Sequence, residues 1–206
     1  MQFYIWKKVM NIFFVDSDPV VAAQSLVDKH VIKMILETAQ LLSTAHRVID
    51  GMQVEVTYKT PDKWMDFPFE GRREFRPGKT RKKKVWILDD HRNDIFYNAT
   101  HINHPSAVWV RESVENYNWL VDHLFALADE YTYRYGKRHA TMAKLGYEIQ
   151  SPPHGLRDWD WTKPPSCMDE CFTVGDDTVA NYRNYYKYGK ADLHNWTKRS
   201  PPDWIL

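Results

Sequence analysis

A narrow strip of polar side chains runs along the segment from residue 28 to residue 47. At about 100° per residue, a helix gathers these side chains into an arc of roughly 80°; they are His30, Lys33, Glu37, Gln40 and Thr44. In a partly buried cleft the Glu37 carboxylate could act as a general base or stabilise a developing cation, while Lys33 with a lowered pKa could attack a sugar carbon. His30 lies one turn before Lys33 and is the third catalytic candidate. The alternative is a structural Lys–Glu pair on a solvated helix face.

A second group of polar residues surrounds an Asn-His-Pro sequence. His101 and His104 are three residues apart and can share a face, so they could bind a divalent metal. The third ligand would then come from elsewhere, with candidates Glu37, His30 and His91. Histidines at helix starts also cap helices or contact phosphate, and Asn103 and Arg111 suit anion or base contacts. We expect no metal or other cofactor, with a divalent ion at the two histidines as the alternative.

Two further segments are rich in cations and aromatic rings. Eight cations fall within thirteen positions, namely Arg72, Arg73, Arg76, Lys79, Arg81, Lys82, Lys83 and Lys84. Such a density is typical of a segment that contacts phosphates, although a solvated charge patch is the alternative. Near the end of the chain, rings that could stack on bases alternate with lysines: Tyr185, Tyr186, Lys187, Tyr188 and Lys190. The alternative there is a helix with aromatic core contacts and a basic solvated face.

The composition restricts the class of protein. Lys plus Arg is 28 and Asp plus Glu is 27 in 206 residues, so the net charge of +1 argues against a purely electrostatic nucleic-acid binder. An aromatic content of 15% suits a nucleotide or nucleic-acid ligand. The only cysteines, Cys167 and Cys171, lack the second ligand pair of a zinc module and indicate a reduced compartment. We expect one cytoplasmic domain without a membrane span.

The polar groups need helices to position them. The first helix is predicted from Pro19, with Ser17 or Asp18 as N-cap, to about His46, with a bend near Asp28. Apolar residues spaced three and four apart predict a second long helix from Pro105 to Tyr135, which Gly136 closes. A third helix is expected from about Asp177 and carries the Tyr/Lys residues.

An insertion at about residues 52 to 90 is expected between the first two long helices. Residues 52 to 59 alternate apolar and polar side chains and predict a strand. The stretch to about Thr80 has no helical period and is predicted to be a long ordered loop that continues into the basic segment. The fold class is therefore mainly α: a compact helical domain around two long helices, with a small β-hairpin or irregular aromatic and basic insertion.

Three collinear segments together resemble the phage endonuclease V type of pyrimidine-dimer DNA glycosylase. In that family the first helix carries Asp-x-His and, seven residues later, the catalytic Glu, the spacing of Asp28, His30 and Glu37. The segment from Tyr186 to Ala191 is similar to the family's C-terminal Trp-Tyr-Lys-Tyr-Tyr-Gly-Lys-Ala with one Tyr fewer, and Asn103-His104-Pro105 resembles a turn of larger relatives. The whole chain also resembles proteins of unknown function in tailed-phage genomes.

The resemblance implies a base-excision enzyme acting on DNA. An amine would attack the sugar C1′ as the base leaves, Glu37 would assist, and a Schiff base would permit strand cleavage. The family uses the amine of a Thr exposed by removal of Met, whereas this chain begins Met1-Gln2 and a start at Met10 is followed by Asn11. The amine is then that of a retained Met, or Lys33 replaces it, or the lyase step is absent.

The leading hypothesis is thus a glycosylase-like enzyme of phage type, with or without abasic-site lyase activity, acting on duplex DNA in the host cytoplasm. The expected substrate contacts come from Asn103, His104, Arg111 and the Tyr/Lys residues, and the backbone contacts from the eight clustered cations. One alternative is a metal-dependent hydrolase or modifier of nucleotides or modified bases. The other is a non-catalytic DNA-binding protein in which Glu37 is structural.

Overall fold

The computed structural model describes residues 10–66 and 73–206. Most of the regular structure is helical, which confirms the mainly α prediction. The helices are α1 (Pro19–Ser25), α2 (Asp28–Asp50), α3 (Arg92–Ile95), α4 (Pro105–Trp109), α5 (Val114–Tyr135), α6 (Ala140–Leu145) and α7 (Thr178–Asn184). A π-helical segment, Tyr185–Gly189, continues directly from α7. Within the described ranges, no helix combines the length and the apolar character that crossing a bilayer requires.

The helix predicted from Pro19 to about His46 is two helices. Asp18 is the N-cap of α1 and accepts hydrogen bonds from the N–H groups of residues 20 and 21, as predicted. The chain then becomes extended at Leu26 and Val27, and α2 begins at Asp28. The break is stable because distant side chains bind the backbone groups that it releases: the Val27 N–H donates to the Tyr186 hydroxyl, and Arg134 donates to the Leu26 carbonyl.

The second predicted long helix is also divided. Helix α4 ends at Trp109, and α5 begins after Ser113, whose side chain accepts from the Asn116 N–H. The Asn116 amide in turn donates to the Trp109 carbonyl, so the freed end of α4 is satisfied locally. Gly136 closes α5 in the left-handed conformation, with φ of 67°, as the sequence indicates. Helices α2 and α5 pack against each other in the core, and α1 packs on α5.

The insertion is a two-stranded antiparallel ribbon. Strand β1 (Met52–Lys59) pairs with β4 (Thr80–Ile87), and β2 (Lys63–Asp66) pairs with β3 (Arg73–Arg76). The strand predicted at 52 to 59 is confirmed, but the predicted long loop and basic loop are wrong, because both contain strands. Strands β1 and β4 are largely exposed, and the run of cations from Arg81 to Lys84 interrupts the alternation of apolar and polar side chains in β4, so the sequence pattern did not indicate that strand.

Arg47, near the end of α2, holds the base of the ribbon. Its buried guanidinium donates to the carbonyls of Tyr97 at 2.6 Å, Trp86 at 2.9 Å and Phe96 at 2.9 Å. Gly51 then turns the chain from α2 into β1, where a Cβ would lie 2.4 Å from the Arg47 carbonyl oxygen. A tight glycine turn and a buried cation therefore join the ribbon to the helix that carries the polar strip.

Candidate active site

Glu37 is a buried carboxylate at the middle of α2. Its side chain accepts from Lys33, whose Nζ lies 2.9 Å from Oε1, and the residue is 8% exposed. The other oxygen, Oε2, is buried and has no hydrogen-bond partner among the described residues. A buried carboxylate oxygen without a partner is costly. The arrangement therefore leaves one acceptor available for a donor that enters the site.

His30 binds the π-helical segment. The Tyr186 hydroxyl donates to His30 Nδ1 at 2.6 Å while it accepts from the Val27 N–H, and the Phe13 ring stacks on the imidazole at 4.2 Å. Burial, followed by the charges of Lys190 and Lys33, lowers the pKa of His30 to about 3. His30 is accordingly neutral at pH 7 and a weak base, which favours a positioning role over proton transfer.

Tyr186 corrects one predicted substrate contact. Its ring is completely buried against Phe13 and Trp204, so it cannot stack on a base as the sequence pattern suggested. Burial raises the pKa of its hydroxyl, which stays protonated. By contrast, Tyr188 is 66% exposed, and Tyr185 and Lys187 are half-buried. The π-helical turn thus turns one tyrosine inward and leaves its neighbours accessible.

Lys190 follows this turn and lies over the Tyr185 ring, with Nζ 4.6 Å from the ring centroid. Burial lowers the pKa of its amine, and the charge of Lys33 lowers it further. Because the Lys190 charge also acts on His30, the three side chains share one electrostatic environment. The charge of Lys33, in the polar strip of α2, therefore acts on Lys190, which follows the π-helical turn.

The Asn-His-Pro turn meets the other end of the strip. The Thr100 N–H donates to Thr44 Oγ1 at 3.1 Å. His104 is the N-cap of α4, where its Nδ1 accepts from the Ser106 N–H, and His101 Nδ1 lies 2.8 Å from Thr100 Oγ1. Asn103 is exposed in the same turn. The strip is therefore in contact with the π-helical segment at His30 and with this turn at Thr44.

Arg111 supports the turn through one of its two terminal nitrogens. Its Nη2 donates to the Ile102 carbonyl at 2.7 Å, whereas Nη1 is buried with no partner in the described part of the chain. Burial lowers the pKa of Arg111, as desolvation does for any cation. Arg111 Nη1 is therefore a donor with no partner among the described residues, and its contact with an anion or a base stays a prediction. Across residues 10–66 and 73–206, no three His, Cys, Asp or Glu side chains are grouped so that they could hold a metal ion.

Asp28, which the resemblance aligns with the family motif, binds the end of the chain. Its carboxylate accepts from Arg134 at 2.9 Å, from Asn195 at 2.7 Å and from the Thr197 hydroxyl at 2.8 Å. Burial alone would raise its pKa, but the hydrogen bonds from Thr197 and Arg134 outweigh burial and lower it. These contacts occupy Asp28 in holding the C-terminal segment against the first turn of α2.

The contact of Phe13 with His30 could not be predicted from the sequence. Residues 10 to 16 form no helix or strand, and residues 10 to 15 are buried. Phe13 has a positive φ of 46°, which is rare for an aromatic residue, and it stacks on His30. Strained backbone of this kind concentrates at functional sites. The aromatic run was visible in the sequence, but the conformation of this one residue was not.

The clustered cations belong to the ribbon at the end of α2. The ribbon begins after Gly51, about 20 Å from Glu37 along the helix axis at 1.5 Å per residue. The exposed described members of the cluster are Arg76, Lys79, Arg81, Lys82, Lys83 and Lys84. Lys82 pairs with Glu55 at 2.7 Å, and Lys83 lies over the Tyr58 ring. Arg72 and the side chain of Arg73, both predicted to contact nucleic acid, lie outside what the structure describes.

Comparisons with known proteins returned no match to a family model, a curated protein or a solved structure. The resemblance to pyrimidine-dimer glycosylases consequently stays a prediction from short motifs.

Proposed function

We propose that this protein is a DNA-acting enzyme of the glycosylase type, which removes a base and cleaves the resulting abasic site. The observation that carries the proposal is the buried Glu37 carboxylate, whose Oε2 has no partner among the described residues and whose Oε1 pairs with Lys33, a lysine whose charge also acts on Lys190. A buried carboxylate next to amines matches a reaction that develops positive charge at a sugar carbon. Arg111 Nη1 adds a donor for the departing base or for a phosphate.

The residues divide the reaction between them. An unprotonated amine forms a bond to C1′ while the bond from C1′ to the base breaks, and the base leaves with that electron pair and takes up a proton. Glu37 stabilises the charge that develops on the sugar and accepts the proton that the attacking amine loses. The sugar ring opens as O4′ takes up a proton, which gives a Schiff base at C1′. A base then removes a proton from C2′, a double bond forms between C2′ and C3′, and the bond from C3′ to oxygen breaks as the phosphate leaves with its electron pair.

Lys190 is the amine that we assign to the attack. Attack needs a neutral amine, and burial lowers the pKa of Lys190. Lys33, the amine expected from the sequence, instead donates to Glu37 at 2.9 Å and is 41% exposed, which suits a partner that orients the carboxylate. The chain amine, a further candidate, lies outside the described residues.

Borohydride trapping on a duplex with one abasic site tests the proposal. We expect a covalent adduct with the native protein, none with Lys190→Met, and an unchanged adduct with Lys29→Met, a change at an exposed lysine of α2. If an adduct still forms with Lys190→Met, the attacking amine is that of Lys33 or the chain amine. Lys33→Met and reductive methylation of the chain amine distinguish these two. If the native protein forms no adduct and releases no base from damaged or modified duplexes, the proposal fails.

A non-catalytic DNA-binding protein is the second candidate, because the described cations of the ribbon are exposed and lie on an element other than the helix of Glu37. In that case Glu37→Gln leaves the biological activity intact, while charge reversal at Lys82, Lys83 and Lys84 abolishes it.

A further inference from the structure

We infer that the ribbon is a groove-binding element that inserts into the major groove of duplex DNA, with phosphates on both of its faces. The choice of DNA rests on the proposed function. The mode of binding rests on the ribbon itself, and it commits the protein to double-stranded DNA through an element that does not contain the catalytic residues.

Charge is segregated into the ribbon. Residues 52 to 87 contain ten Lys and Arg against five Asp and Glu, a net charge of +5 in a chain whose total is +1. The remaining 170 residues therefore carry a net charge of −4. Attraction to a polyanion thus concentrates on the ribbon, while the rest of the chain is on balance repelled.

The cations occupy both faces of the ribbon. Side chains alternate along a strand, so Lys82 and Lys84 of β4 project from one face, and Arg81 and Lys83 project from the other. The residues from 80 to 84 are all exposed. A flat acidic surface could contact only one face at a time. In a groove bounded by two phosphate backbones, the cations of both faces can be neutralised at once.

The dimensions of the ribbon fit this groove. Two strands lie about 4.8 Å apart, and the major groove of B-DNA, about 12 Å wide, admits a two-stranded ribbon. The eight residue pairs from Met52↔Ile87 to Lys59↔Thr80 span about 25 Å. The face with Arg81 and Lys83 also presents Tyr58 and Met52, which are 40% and 67% exposed.

A bound partner would also stabilise the ribbon. An isolated two-stranded hairpin is marginally stable in water, and this one has its buried anchor only at the base, where Arg47 binds the Trp86 carbonyl. Contacts in a groove would stabilise the exposed length that the protein core does not cover. Because Arg47 and Glu37 lie on the same helix, a duplex held by the ribbon stays in a fixed relation to the candidate site.

Equilibrium binding to a labelled undamaged duplex, measured by anisotropy at several salt concentrations, tests the role of each face. We expect Lys82→Glu/Lys84→Glu and Arg81→Glu/Lys83→Glu each to weaken binding about tenfold or more and to lower the salt slope by about two. The matched control, Lys29→Glu/Lys137→Glu, changes two exposed lysines outside the ribbon by the same charge and should leave the slope nearly unchanged. The neutral pairs Lys82→Gln/Lys84→Gln and Arg81→Gln/Lys83→Gln should give weaker effects of the same sign if the loss is electrostatic rather than unfolding.

Chemical protection identifies the groove. Dimethyl sulfate methylates guanine N7 in the major groove and adenine N3 in the minor groove, so bound protein should protect N7. Any of three results overturns the inference. They are protection of adenine N3 alone, weaker binding in the variants of one face only, and equal affinity of the protein for poly-glutamate and for the duplex. The proposed function is scored separately, by base release from modified duplexes at protein concentrations that saturate binding. If release depends on Glu37 but the ribbon variants bind duplex normally, only the ribbon inference fails; if duplex binding depends on both faces and no base is released, only the enzyme proposal fails.

Discussion

The Tyr186 hydroxyl lies 2.6 Å from Nδ1 of His30, and this hydrogen bond joins α2 to a segment 156 residues later in the chain. The same hydroxyl accepts the N–H of Val27 at the break between α1 and α2. One buried oxygen therefore fixes the start of the central helix, the orientation of the imidazole and the position of the π-helical turn that precedes Lys190.

Replacing Tyr186 with Phe should destabilise the protein by about 1–3 kcal/mol, because the Val27 N–H and His30 Nδ1 lose a buried partner. Urea unfolding followed by circular dichroism measures the change. Tyr188→Phe is the matched control, since that hydroxyl belongs to an exposed residue. Equal stability of the two variants contradicts the role given to the buried hydroxyl.

Glu37→Gln should reduce base release by about 10²–10⁴-fold, the usual contribution of a positioned proton-transfer group. The protein should still bind undamaged duplex, because the ribbon cations are unchanged. Release is measured in single-turnover assays beside Glu115→Gln, which alters an exposed carboxylate on α5. Full activity of Glu37→Gln would remove this carboxylate from the chemistry.

Acid should weaken the fold through His30. Its pKa is about 3 in the folded state and about 6.5 when unfolded, so the unfolded chain binds more protons between these values. The stability that the neutral, buried imidazole of His30 contributes is complete above pH 6.5 and is lost as the pH falls towards 3. His46 and His123, each with a pKa lowered by burial to about 4, act in the same direction. The unfolding free energy should therefore fall from pH 7 to pH 4.5.

The contribution of the single imidazole is isolated by comparing His30→Gln with His91→Gln. The first variant should show a shallower loss of stability between pH 7 and 4.5, because it lacks one group that must take up a proton on unfolding. The second alters an exposed histidine and should follow the native curve. If both follow the native curve, the burial of His30 does not control the acid response.

Arg47→Met should loosen the base of the ribbon. The substitution leaves carbonyl oxygens of residues 86, 96 and 97 without their donor, at a cost of about 3 kcal/mol or more. Hydrogen exchange should then accelerate in β1 and β4 more than in α5. Arg138→Met, at an exposed position, provides the comparison. Unchanged exchange in the two strands would show that the ribbon does not depend on this anchor.

The features that could be predicted are those that depend on residues close together in the sequence. Asp18 and Gly136 cap their helices through local geometry, and Asp177 caps α7 in the same way, so the sequence is sufficient for each. Lys33 and Glu37 are four residues apart on a helix, and their ion pair follows from that spacing.

Features that depend on distant partners could not be predicted. The sequence indicated a bend near Asp28, but the complete separation of α1 from α2 is stabilised by Tyr186, 159 residues from Val27. In β4 the four consecutive cations from Arg81 to Lys84 hide the alternation of apolar and polar side chains by which a strand is recognised. The inward position of Tyr186 depends on a π-helical turn that the Tyr/Lys pattern does not distinguish from an ordinary helix.

The binding of Asn195 and Thr197 by Asp28 has a consequence for how the molecule opens. Because one carboxylate holds both the first turn of α2 and the C-terminal segment, neither can detach without breaking the same hydrogen bonds. The two segments should fluctuate as a single cooperative unit, with matching protection of their amide hydrogens, despite being separated by most of the chain.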